Sequence, residues 1–152
     1  MNIAELATQA LQESLADRLV AVVLFGSRAR GEAAPDSDWD LLVIAEELPS
    51  GALSRRLFLK GLLPPACRGA VSIIARTRAE FDSHISSLYL DLALDGKVLH
   101  DTAGYAAGKL GRLRVLLARS ELTRERLASG YQWKPRGEWR GLAWWFEQAA
   151  SL

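Results

Sequence analysis

Leu24 to Val43 reads LFGSRARGEAAPDSDWDLLV, and this stretch decides how the rest of the chain is read. It opens on the end of an apolar run, turns through Gly26-Ser27, crosses a polar loop and re-enters an apolar run through Asp38-Trp39-Asp40. The leading run, Leu19 to Phe25 (LVAVVLF), is continuous, rich in β-branched residues and too short for a surface helix, which predicts a buried strand. Glycine lets a backbone approach a ligand closely. A serine opening a helical turn aims its hydroxyl and the free N–H groups at an anion, so Gly26-Ser27 suits a phosphate. Asp38 and Asp40 lie two apart, which on a strand places both carboxylates on one face and Trp39 on the other. Converging carboxylates repel unless a cation lies between them, and Mg²⁺ takes one or two carboxylates completed by substrate phosphate oxygens. Asp36 belongs to the loop, because Pro35-Asp36-Ser37 is turn chemistry. From these residues alone a plainer reading stays open, an ordinary strand-to-helix turn followed by solvated acids.

Gly26-Ser27, ten residues and then Asp38-x-Asp40 resembles the signature of the polymerase-beta-like nucleotidyltransferase superfamily. GSRARG with SDWDLLV most resembles its minimal nucleotidyltransferase branch, over roughly residues 1–103. The resemblance implies an α/β (α+β) fold, a small mixed sheet flanked by helices, with the Gly-Ser turn and Asp-x-Asp on adjacent strands. It implies that Asp38 and Asp40 are the catalytic, metal-holding pair and that Gly26, Ser27, Arg28 and Arg30 bind the nucleotide. The implied chemistry is Mg²⁺-dependent transfer of a nucleoside monophosphate, AMP from ATP, to a hydroxyl on a protein or small molecule. The implied partner is a helical HEPN-type toxin, for which such proteins serve as antitoxins.

One position departs from that pattern. Relatives commonly carry a third carboxylate on the next strand, where it helps hold a second metal and draws the proton from the attacking hydroxyl. In Ala70 to Arg76 (AVSIIAR) the corresponding polar residue is Ser72, and no Asp or Glu occurs between Glu47 and Glu80. Two-metal phosphoryl transfer would lack an anionic ligand there, whereas nucleotide binding needs only Asp38, Asp40 and the phosphates. This leaves as alternatives a nucleotide- or partner-binding module without turnover, and a drug-modifying transferase, for which the chain is short.

The remaining residues frame the site. At 152 residues and 49% hydrophobic the chain can bury a core as one domain, and a net charge of +1 selects no class of partner. Its one cysteine, Cys67, excludes an intrachain disulfide. The opening residues lack a basic segment before an apolar core, and no apolar run approaches bilayer length, so the expected home is the cytoplasm, with no membrane association. Apolar residues from Ile3 to Leu15 recur at helical spacing, predicting a first amphipathic helix. Further expectations are a strand from Trp39 to about Ala45, a helix over Leu53 to Leu63 stopped by Pro64-Pro65, and a strand at Ala70 to Arg76. Thr77-x-x-Glu80 is a capping box that opens a helix running toward Leu94 with a break near His84, followed by a short strand over Lys97 to His100. His84 and His100 have no ligand partner at metal spacing.

Beyond residue 103 the composition shifts, predicting a helical C-terminal extension (104–152) on a nucleotidyltransferase-like domain (1–103). Leu110, Leu113, Leu116, Leu117 and Leu122 predict a helix to about Ala128, stopped by Gly130. Residues 104–140 hold nine Lys or Arg against three Glu, interleaved with Tyr131, Trp133 and Trp139 and followed by Trp144, Trp145 and Phe146. Such a mixture can bind RNA by stacking and phosphate contact. It equally suits tryptophans that anchor the tail on the domain or at a subunit interface, giving an oligomer.

Overall fold

The computed structural model describes residues 1–83 and 85–136. Four strands form one mixed sheet in the order β3-β2-β1-β4: β1 Leu19–Phe25, β2 Trp39–Ala45, β3 Val71–Arg76 and β4 Lys97–Asp101. β1 runs antiparallel to β2 and β4, and β2 runs parallel to β3. β1 carries apolar side chains on both faces because both are covered, as the unbroken run LVAVVLF anticipates.

Each face has its own core. On the first, Leu19, Val22, Leu24, Leu41, Val43, Val71 and Ile73 pack under α1 (Ile3–Leu15), α3 (Ala52–Leu62) and α4 (Pro65–Arg68), through Ala7, Leu11, Leu59, Leu63 and Cys67. On the second, Val20, Val23, Leu42 and Ile44 meet α5 (Arg78–Ser83), α6 (Ser87–Asp95) and α7 (Tyr105–Arg119), through Phe81, Tyr89, Leu92, Leu110 and Leu113. A capping box at Asn2/Glu5 starts α1. A second starts α5, where the Glu80 backbone N–H donates to the Thr77 hydroxyl and the Thr77 N–H to the Glu80 carboxylate. The break expected near His84 falls between α5 and α6; His84 itself lies outside the described residues.

The C-terminal part differs from the expectation. The helix ends at Arg119, not near Ala128, and Leu122–Leu127 (β5) pairs antiparallel with Gly130–Pro135 (β6) across a two-residue turn. Gly130 serves that turn, at φ +131°, instead of stopping a helix. The helix ends early because Ser120 turns the chain: its backbone N–H and its hydroxyl both donate to the Leu117 carbonyl. The change in composition at residue 103 is also not a change of core, since α7 buries Ala106, Leu110, Leu113, Leu116 and Leu117 in the second one. The expectations for Trp139, Trp144, Trp145 and Phe146 lie outside the described residues.

Candidate active site

The end of β1 and the start of β2 meet in register, Phe25 opposite Asp40. The next residue, Gly26, has φ +72°, and a Cβ built there would fall 2.3 Å from Oδ2 of Asp40. A glycine is thus required twice, for its backbone conformation and for the space the carboxylate occupies. From it α2 (Gly26–Arg30) rises, carrying Ser27 and the two arginines, and Gly31 closes it in the left-handed conformation at φ +74°.

Asp40 shares the second sheet face with Leu42 and Ile44, while Trp39 packs against the first core, as the strand period requires. Asp38, exposed, sits just ahead of the strand. Burial pushes the Asp40 carboxyl above the ordinary aspartate range and the charge of Asp38 pushes it further; the Ser72 hydroxyl and the Arg30 charge pull it partly back. Gly26, Ser27, Asp38, Asp40 and Arg30 therefore converge at one end of the sheet.

Ser72 stands directly beside Asp40 in the parallel β2–β3 pairing, at the position where the resemblance calls for a third carboxylate. Among the described residues no cluster of three or more His, Cys, Asp or Glu side chains could hold a metal. The donor set is thus two hard carboxylate oxygen groups whose mutual repulsion a cation would relieve. That fits one Mg²⁺ whose shell is completed by phosphate and water, and it does not fit a second metal needing its own anionic ligand.

The two arginines do different work. Arg28 donates from Nε to the Ser37 carbonyl (3.1 Å) and from Nη2 to the Ser37 and Pro35 carbonyls (2.8 and 3.2 Å), and its guanidinium lies 4.3 Å from the Trp39 ring centre. It is committed to tying down the loop that delivers Asp38. Arg30 donates to Glu32 (3.0 Å) and lies 3.8 Å from Asp95. Its charge reaches Asp40. His100 lies away from this cluster, its Nδ1 paired with Gln12 of α1 at 2.9 Å.

Sequence reasoning missed the hairpin's share in this neighbourhood. Tyr131 donates to Glu32 (2.9 Å) and packs its ring 4.8 Å from the Arg30 guanidinium, and Trp133 donates to Asp91 of α6 (3.1 Å). The alternation Tyr131-Gln132-Trp133-Lys134 after Gly130 was the available signal for a strand. Both rings are engaged within the chain, and for Trp133 this agrees with the expectation of a tryptophan anchored on the domain.

Residues 4–94 match the nucleotidyltransferase domain family. The chain belongs to that family, in its minimal branch. It is 30% identical over 122 residues to MJ1305 of Methanocaldococcus jannaschii, named as a candidate protein adenylyltransferase, across 78% of this chain and 83% of that one. It is 33% identical over 107 residues to the protein adenylyltransferase MntA of Aphanizomenon flos-aquae, across 68% and 71% of the two chains. A crystal structure of a toxin–antitoxin with AMP-PNP shares the fold of this nucleotidyltransferase, with a TM-score of 0.53 at 22% identity, over 78% of this chain and 91% of that one. Among the described residues no helix is long and apolar enough to cross a membrane.

Proposed function

We propose that this nucleotidyltransferase moves AMP from ATP to a hydroxyl on a protein, with Mg²⁺, and that its target is a HEPN-type toxin which it silences as the antitoxin. The observation that carries the reading is the seating of the Asp40 carboxylate against Gly26, which brings the paired carboxylates to the turn that opens α2. Asp38 and Asp40 would hold the cation, which when bound screens the triphosphate and favours departure of pyrophosphate. Ser27 offers its hydroxyl to the phosphates, and Arg30 supplies a fixed positive charge for the charge that develops as the α-phosphate is attacked. Arg28 keeps the Pro35–Ser37 loop in place, so that Asp38 stays beside Asp40. That two relatives are named for protein adenylylation favours a protein acceptor over a small molecule. The HEPN-type partner rests on the family resemblance.

The test uses the full chain, ATP labelled in the α-phosphate, Mg²⁺ and the product of the neighbouring gene. Label should appear on that product and vanish with Asp38→Ala or Asp40→Ala. In parallel, ATP with Mg²⁺ at a hundredfold excess over Kd should add about 2.7 kcal/mol of stability to the wild type and none to either variant. A thermal shift that survives in both variants would refute the site. A shift without any transfer of label would leave nucleotide binding standing and refute the acceptor.

A further inference from the structure

The β5–β6 hairpin closes on the nucleotide turn through one continuous network. Arg124 of β5 forks onto Asp95 of α6 (2.5 and 3.0 Å) and reaches Asp91 (3.2 Å), to which Trp133 of β6 also donates. The Arg124 and Asp95 side chains are 15% and 13% exposed, so this joint is largely withdrawn from water and firm. Tyr131 of β6 then has the Arg124 guanidinium 4.5 Å and the Arg30 guanidinium 4.8 Å from its ring centre. Its hydroxyl donates to Oε1 of Glu32, the atom that Arg126 also reaches at 3.4 Å, while Arg30 holds Oε2 of the same carboxylate. The ring therefore contacts Arg30 directly, and the hydroxyl fixes the carboxylate that Arg30 also holds.

We propose that Tyr131 is a positioning residue for nucleotide binding. The hairpin, anchored on α6, presents its ring to Arg30 and restrains Glu32, so that the guanidinium is ordered before the triphosphate arrives. Two carboxylates, Glu32 and Asp95, flank Arg30. Without the ring they could draw it into alternative pairings, and the unrestrained Glu32 would add negative charge near the phosphates. Pre-ordering a long side chain lowers the entropic cost of binding. The proposal rests on the reading of Arg30 as a phosphate ligand, and the experiment separates the two.

Titration calorimetry of the full chain with a non-hydrolysable ATP analogue and Mg²⁺ gives the Kd. Because the cost of ordering one long side chain then falls on binding, Tyr131→Ala should weaken it about two- to tenfold. Tyr131→Leu, which keeps the apolar bulk of the hairpin packing, should weaken it similarly, whereas Tyr131→Phe, which keeps the ring, should recover most of the loss. In an Arg30→Gln background Tyr131→Ala should add nothing, because its effect passes through that arginine. If Arg30→Gln weakens binding but the Ala and Leu variants at 131 do not, the positioning role is overturned. A tighter Kd in those variants also overturns it, since the hairpin would then be holding Arg30 off the phosphates. Equal losses with and without Arg30 would mean that Tyr131 meets the nucleotide itself, again overturning the proposal. An unchanged Kd in Arg30→Gln alone would instead remove Arg30 from the site.

Discussion

Gly26→Ala separates two demands that the nucleotide turn makes on one residue. An added Cβ would lie 2.3 Å from Oδ2, 3.2 Å from Cγ and 3.4 Å from Cβ of Asp40. Because Cγ is itself crowded, turning the carboxylate about its last bond does not clear the clash, and the whole side chain must leave its rotamer and its place beside Ser72. Gly31, five residues on, is the internal control, with φ +74° and nothing within 4 Å of a built Cβ. Gly31→Ala should therefore cost only the left-handed backbone penalty, about 1–2 kcal/mol. Gly26→Ala carries the same penalty plus the displaced carboxylate, where an off-rotamer side chain adds roughly 0.5–1.5 kcal/mol, so about 1.5–3.5 kcal/mol in total is expected. For a domain of this size that is a fall in Tm of roughly 3–14 °C, against about 2–8 °C for Gly31→Ala. Thermal unfolding followed by circular dichroism, with and without ATP and Mg²⁺, reads both effects. The Gly31 variant should keep the ligand-induced rise and the Gly26 variant should lose it. In an Asp40→Ala background the excess cost of Gly26→Ala should vanish, leaving the backbone part. Equal costs at the two glycines, or an excess that persists without the Asp40 carboxylate, would refute the reasoning.

Glu80 is held well below the carboxylate range, at about 2, by the Arg55 side chain and the Thr77 backbone N–H. Its contribution is complete above pH of about 4.5 and fades as the pH falls toward 2, and with the Glu80 side chain 39% exposed it is about 1 kcal/mol after solvent screening; acid unfolding of Glu80→Gln should lack that loss. Because the Asp40 carboxyl is raised, its charge destabilises the ligand-free fold at neutral pH, so Asp40→Asn should raise the Tm without ligand while abolishing the response to ATP and Mg²⁺. Ser72→Asp should lower the ligand-free Tm, regain it with Mg²⁺, and raise the rate of AMP transfer to a competent acceptor; a buffered Tm with a slower rate would count against a third-carboxylate role for that position.

Much of the sheet was legible because its signals are local. β1 and β2 fall on the residues expected, since a short unbroken apolar run between a helix stop and a Gly-Ser turn has few other solutions. Trp39 and Asp40 divide between the faces by the strand period alone, whereas Asp38, expected on the same strand, lies just ahead of it. The hairpin was illegible for a physical reason: Leu122 to Leu127 (LTRERL) is built from strong helix formers, and Leu122 continues the apolar spacing of α7. What makes it a strand is tertiary, the Arg124 side chain received by Asp91 and Asp95 on α6 and the pairing with Tyr131 and Trp133. The work of Arg28 was equally hidden, because an arginine bound to loop carbonyls and one aimed at phosphate look the same in a sequence.

β2 and β3 are parallel, and their register sets Ser72 against Asp40 without slippage along six successive pairs, from Trp39 with Val71 to Ile44 with Arg76. An aspartate there would be the third carboxylate in a space where Asp38 already raises Asp40. The like-charge cost would fall on the protein whenever the cation is absent. A hydroxyl avoids that repulsion and lowers the Asp40 pKa, which keeps Asp40 better ionised for a single cation. Nor can a serine take a proton from the acceptor as a carboxylate at this position could. On the proposed reaction, activation of the attacking hydroxyl would then fall to the acceptor's own surroundings, and a target that carries its own base would be favoured.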